Sequence, residues 1–264
     1  MRRRTPPSTR RCRPSAGSAP TAAATEFAAL PERADLLLLA GDLTDRGRLS
    51  QAHTLADELG DLSIPIVAVL GNHDYDEGQE SQIRALLVSF GIAVLDGSAT
   101  TVEVRGIRVG VAGTVGFDGG FGTDYDLWHA VRVGKRADPR LQEAATFKKV
   151  LAGLRDEQGA DLTIALTHFS PVRGTLAGER RRIIPCLGNE LLGRTIDEAG
   201  ADLAVHGHAH FGTERGSTAA GIPVRNVARP VLGRPYAIYP VASVRSAHLP
   251  IPCQVVLPVT GPLL

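Results

Sequence analysis

The chain has only three cysteines in 264 residues, Cys12, Cys186 and Cys253, odd in number and far apart. Such a set excludes a disulfide frame and a thiolate zinc knuckle, and fits reduced thiols in a cytoplasmic protein. No apolar run reaches the roughly 18 residues of a spanning helix, so no membrane partner is expected. Neither charge is in excess: 29 Lys and Arg stand against 28 Asp and Glu, net +1. The basic face that nucleic-acid binding needs is therefore missing, and no nucleic-acid partner is expected. The first 25 residues also lack any acidic side chain, and residues 1–26 are rich in Arg, Pro, Ser and Ala. That composition stays disordered rather than forming a buried strand. The remainder is ordinary for a domain with a sizeable core, at 43% hydrophobic and 22% charged residues overall.

Four polar blocks punctuate that remainder, each after an apolar run: Gly41-Asp42-Leu43-Thr44-Asp45, Gly71-Asn72-His73-Asp74, Thr167-His168-Phe169-Ser170-Pro171 and Gly207-His208-Ala209-His210. Singly, each has a bland reading. Gly-Asp-x-x-Asp is also a turn with a capping Asp, Gly-Asn-His-Asp has turn composition, and a lone His168 is most often a satisfied loop histidine. Gly-His-Ala-His says more, because two imidazoles two residues apart on an extended segment point the same way. Strand followed by oxygen or nitrogen donors, four times over, describes side chains delivered to a shared metal centre at the ends of a sheet.

The runs 36–40 and 64–70 read as strands buried on both faces, with a helix over 49–62 between them. A second helix is expected over 79–90, shorter strands over 92–95, 101–105 and 107–112 with antiparallel pairing, and a long helix over 139–158. The runs 162–166 and 203–205 deliver His168 and His208, and 222–228 and 236–239 read as closing strands. The glycine-rich stretch 113–125 reads as a surface connection, since no Lys with Ser or Thr follows at nucleotide-loop spacing. His53, Trp128, His129 and His248 read as bystanders. The tail 241–264 has four prolines and no clean period, and is assigned no role.

The order of the four blocks resembles the calcineurin-like metallophosphoesterase family over roughly residues 27–240, and Thr167-His168-Phe169-Ser170-Pro171-Val172-Arg173-Gly174-Thr175-Leu176 is most similar to its small bacterial members. The resemblance implies an α/β fold, a four-layer αββα sandwich of two mixed sheets flanked by helices. It implies a hydrolase with two divalent cations, Mn, Fe or Zn, acting on a small phosphorylated substrate, mono- or diester, through a metal-held hydroxide. Asp42 would bridge the metals, Asn72, His168 and His208 would complete one site, and His210 would bind the other. His73 would assist the leaving group, with Asp74 orienting its ring. Asp45 is expected to cap or support the site, and Arg46 and Arg173 are candidate phosphate partners.

One family motif is missing. An Asp-x-His on a strand shortly before Phe27 should give the first metal two ligands, and no such triplet occurs there. A changed start site or reading frame, or a truncation, is the expected origin of the segment in its place. The alternative function is accordingly a one-metal, catalytically impaired or scaffold protein on the same fold. Loss of the first strand is expected to expose the flank of a neighbouring strand, which favours aggregation or a partner that fills the gap.

Overall fold

Leu36-Leu37-Leu38-Leu39-Ala40 forms strand β1, and all five residues are buried because each face meets a different apolar layer. Leu36, Leu38 and Ala40 pack toward a second sheet, whereas Leu37 and Leu39 pack outward. The computed structural model describes residues 27, 29–123, 139–241 and 253–258; the expectations for residues 1–26 and for Trp128, His129 and His248 lie outside them.

Helix α1 (Leu49–Leu59) covers the outward face, with Ala52, Leu55, Ala56 and Leu59 buried in one stripe at helical spacing. Strand β2 (Ile66–Val69) runs parallel to β1. Helix α2 (Glu80–Ser89) follows, burying Ile83 and Leu87, then β3 (Ala93–Leu95), β4 (Ser98–Val104) and β5 (Ile107–Thr114). The expected antiparallel pair is β4 with β5, in full register from Ser98↔Gly113 to Val104↔Ile107. Helix α3 (Pro139–Asp156) begins on its proline, where a missing N–H costs nothing. Then come β6 (Leu162–Thr167), α4 (Glu190–Ala199), β7 (Leu203–His206), β8 (Arg215–Ser217), β9 (Pro223–Asn226), the short α5 (Arg229–Leu232), β10 (Tyr236–Val241) and β11 (Cys253–Pro258).

The strands form two sheets, β10-β11-β1-β2-β3 and β4-β5-β6-β7-β9-β8. A core of Leu36, Leu38, Val67, Val69, Val109, Val111, Ile164, Leu166 and Val205, among others, fills the space between them. Helices α1 and α2 cover one outer face, and α3 and α4 the other. This is the αββα sandwich of two sheets flanked by helices. No helix among the described residues is long and apolar enough to cross a membrane.

Two features depart from the sequence reading. The tail contributes strand β11, which pairs parallel with β1 at Leu36↔Val255 and Leu37↔Val256, and antiparallel with β10 along its length. The flank of β1 is therefore covered there rather than exposed: unpaired backbone groups beside a buried strand must find partners, and the tail supplies them. The glycine-rich connection is also pinned: Gly119 and Gly120 donate to the carbonyls of Pro185 and Gly188, and Gly122 to Glu190. Between them a small core of Phe121, Leu176, Ile184, Leu187 and Ala209 closes over the site.

Candidate metal centre

Strands β1 and β2 are parallel, as are β6 and β7, so the polar blocks after them gather at one rim. The chain turns sharply at Gly41, and Asp42 itself takes the left-handed conformation with φ +50. A Cβ on Gly41 would stand 2.4 Å from His168 Nδ1, and one on Gly71 would stand 2.2 Å from the Asp42 nitrogen. The two glycines let the His168 ring lie directly against the ends of β1 and β2.

His168 is fully buried, and its Nδ1 lies 2.9 Å from the Ala40 carbonyl, which can only accept. That nitrogen therefore carries the ring proton, and Nε2 presents a lone pair. The Asn72 amide oxygen lies 2.9 Å from Nε2 and Asp42 Oδ1 3.3 Å from it. Three electron-pair donors thus converge with no proton among them, an arrangement that a cation relieves. Burial pushes the His168 imidazole down to about 4, so the ring is neutral at pH 7 and able to ligate.

His208 joins the same group: one ligand atom each from Asp42, His168 and His208 lie within 4.8 Å of one another. Its Nε2 faces the Cys186 carbonyl at 3.2 Å, so Nε2 carries the proton and Nδ1 the lone pair. Burial lowers this imidazole to about 4 as well, His168 adding to the effect. Burial raises the Asp42 carboxyl above its ordinary range, with the His73 amide acting against it.

His210 stands outside that group of three. The segment is not the extended one expected, since β7 ends at His206 and His208 has φ +65, but His210 is near enough to act electrostatically on Asp42, His168 and His208. A left-handed residue breaks the alternation of an extended segment. Two site residues, Asp42 and His208, thus hold strained backbone, at a cost of roughly 1–3 kcal/mol each.

Asp74 does not orient the His73 ring. Its fully buried carboxylate accepts from the amides of Leu43, Thr44 and Gly71 and from the Thr44 hydroxyl, at 2.7–3.0 Å, lacing the first two blocks together. Burial pushes it up to about 6 against the donors that favour its charged form. The His73 ring is held instead by the Asp45 carbonyl, 3.0 Å from Nδ1, with Asp76 Oδ2 at 3.4 Å. His73 also donates its backbone N–H to Asp42 Oδ1 at 3.0 Å, and its half-exposed side chain lines a cavity of about 400 Å³ with Asp45, Arg46, Asp76 and Glu77. Arg173 is exposed and lies outside that lining.

Sequence reasoning passed over a supporting network behind the histidines. His206 is fully buried, its Nδ1–H donates to the Gly207 carbonyl, and its Nε2 meets the Thr175 and Ser170 hydroxyls at 2.8 and 3.3 Å. It ties the loop after β6, which carries His168, to the loop after β7, which carries His208. The only signal was the apolar setting of His206 at the end of a strand.

A model of the calcineurin-like phosphoesterase family matches residues 17–212. No curated protein matches the chain. Among solved structures, the chain is similar to the phosphopantetheinyl hydrolase of Mycobacterium tuberculosis, at 14% identity and a TM-score of 0.54 over 74% of this chain and 78% of that one. It is similar also to a protein of Thermus thermophilus, at 15% identity and a TM-score of 0.50 over 82% of this chain and 86% of that one. At such identities the likeness is one of fold.

Proposed function

The chain belongs to the calcineurin-like phosphoesterase family, and on that premise we propose that it hydrolyses a small phosphomonoester or phosphodiester at the rim where Asp42, Asn72, His168 and His208 meet. The observation that carries the reading is the convergence of His168 Nε2, Asn72 Oδ1 and Asp42 Oδ1 with no donor proton among them. The donor set is carboxylate, amide and imidazole without thiolate, which suits a divalent Mn, Fe or Zn ion. Asp42, Asn72, His168 and His208 would hold it. When bound, such an ion supplies Lewis acidity toward a phosphoryl oxygen and lowers the pKa of a coordinated water.

The remaining roles fall to the chain's own groups. His73 lines the adjoining cavity, and because its Nδ1–H is given to the Asp45 carbonyl, Nε2 carries a proton only in the imidazolium form, in which it would give that proton to a departing alkoxide. Arg46 lines the same cavity and is placed to pair with a phosphate oxygen. Asp74 is a positioning residue, since the amides it binds flank Asp42 and Asn72.

A reading with one cation rather than two is supported by the donors present: Asp42, His168 and His208 form a candidate group among the described residues, and residues 1–26 hold no Asp-x-His that would join His210 in a second site. The test is elemental analysis after loading with manganese, with hydrolysis of bis-p-nitrophenyl phosphate followed on the same sample. About one ion per chain is expected. His73→Ala should lower kcat by about 10²–10⁴-fold while leaving the metal content unchanged. Metal binding with no turnover in the unaltered chain would establish the scaffold alternative instead.

A further inference from the structure

A second cavity, of about 390 Å³, opens at the edge of the layer between the two sheets, lined by Glu214, Arg215, Arg225, Arg234, Tyr239 and the start of β7, among others. It shares no lining residue with the metal centre. Arg225 lies on β9 next to Val224, which packs outward against the helices, so its side chain takes the opposite face, toward the other sheet. There its guanidinium lies 5.3 Å from the centroid of the Tyr239 ring.

The charges around it are unbalanced. Arg215 on β8 is the direct antiparallel partner of Arg225, so two cations face each other across the ladder, a pairing that destabilises a sheet. Arg234 adds a third. Two carboxylates also line the cavity, and both are engaged: Asp202 Oδ2 accepts from Arg155 and from the Thr163 amide, while Glu214 Oε1 accepts from the Tyr239 hydroxyl at 2.7 Å and lies 3.6 Å from Arg215 Nε. Arg225 Nη1 donates to the Val224 carbonyl at 2.9 Å, while its Nε is buried with no hydrogen-bond partner. Arg225 lines the cavity, and of the Nε–Nη2 edge of its guanidinium, the one that grips an oxyanion with two parallel hydrogen bonds, the Nε lacks a partner.

We infer that this cavity is a second, non-catalytic anion site that takes a phosphate or pyrophosphate group, free or carried on a nucleotide, on Arg225 with Arg215 and Arg234. A half-buried guanidinium with a partnerless Nε and a cross-strand pair of arginines are both relieved by one multivalent oxyanion, and Arg is the side chain suited to hold it. Burial and the Glu214 contact keep the Tyr239 hydroxyl protonated, so it continues to occupy Glu214 when an anion enters. The inference does not rest on the phosphoesterase reading.

Pyrophosphate titrated onto the full-length protein, as purified and after chelation, tests it by calorimetry. Binding that survives chelation and weakens at least about 10-fold in both Arg225→Gln and Arg234→Gln is expected, with hydrolysis of bis-p-nitrophenyl phosphate unchanged in either variant. Absence of chelator-resistant binding, or equal affinity in the two variants, would overturn it. Arg234 is exposed, so its variant decides the matter should Arg225→Gln fail to fold. An ADP titration beside it separates the sources: tighter binding than pyrophosphate identifies a nucleotide-borne group, and equal or weaker binding a free anion.

Discussion

Gly71 has no side chain because there is no room for one: a Cβ would stand 2.2 Å from the Asp42 nitrogen, 2.3 Å from Asp42 Oδ1 and 2.8 Å from His168 Cε1. The three neighbours are a backbone nitrogen, a buried carboxylate held by the His73 amide and a buried ring, so none swings aside freely. Gly71→Ala is therefore expected to cost on the order of 1–3 kcal/mol of stability and to lower metal content together with turnover. Denaturant titration and elemental analysis of the variant check this, and a stable variant with full metal content would show that the Asp42 turn tolerates displacement. At this scale much was legible: glycine before Asp42 and Asn72 marked a close turn, and the residues themselves named their chemistry. The left-handed turn at His208 was not legible, and neither were the contacts of its ring with the Cys186 carbonyl and the Phe169 ring, which are distant in sequence.

Strand β11 shows how an element can be invisible locally and still be fixed. It is flanked by prolines and lacks clean alternation, yet Leu36 and Leu37 need partners on the side away from β2, and residues 255–256 provide them. Because β11 sits inside its sheet, between β10 and β1, a residue without an N–H is poorly tolerated there. Val255→Pro is expected to lose about 3 kcal/mol or more and to promote aggregation through the opened edge of β1. Denaturant midpoints and light scattering measure both, and unchanged values would mean that β1 does not depend on the tail. Helix α4 was equally missed, although it carries its own signals: Asn189 caps it by accepting from the Leu191 amide at 2.8 Å, and Leu192 and Ile196 lie on its buried face. Strands β1, β2, β6 and β7 were plain, because each is an unbroken apolar run ending in glycine or in polar donors.

For the molecule as a whole, buried neutral imidazoles, His208 with the two below, weaken the fold in acid, offset in part by Asp74, whose carboxyl burial raises to about 6. Burial lowers His168 to about 4 and His206 to about 3, against an ordinary value of 6.5. The unfolded chain binds protons between those values and 6.5 that the folded chain refuses. The stability these groups allow is therefore present above pH 6.5 and lost as pH falls toward 4 and then 3. In chelated protein, melting temperature is expected to be level above about pH 7 and to decline steadily below pH 6.5. His206→Gln should make that decline shallower. A profile flat to pH 4 would mean that the histidines are solvated rather than enclosed between the sheets.

The sequence by itself determined that strands buried on both faces end in polar blocks bearing Asp42, Asn72, His168 and His208, three of them opened by a glycine. These are local properties, set by apolar runs, side-chain chemistry and the few residues that permit sharp turns. Tertiary structure decided which strand covers β1, that Asp45 rather than Asp74 holds the His73 ring, that His208 takes a left-handed turn, and that Arg225 meets Arg215 across a ladder. Each of these depends on which distant segments come within a few ångströms, and no local pattern encodes that. It is settled only when buried backbone groups and buried charges across the whole fold must find partners together.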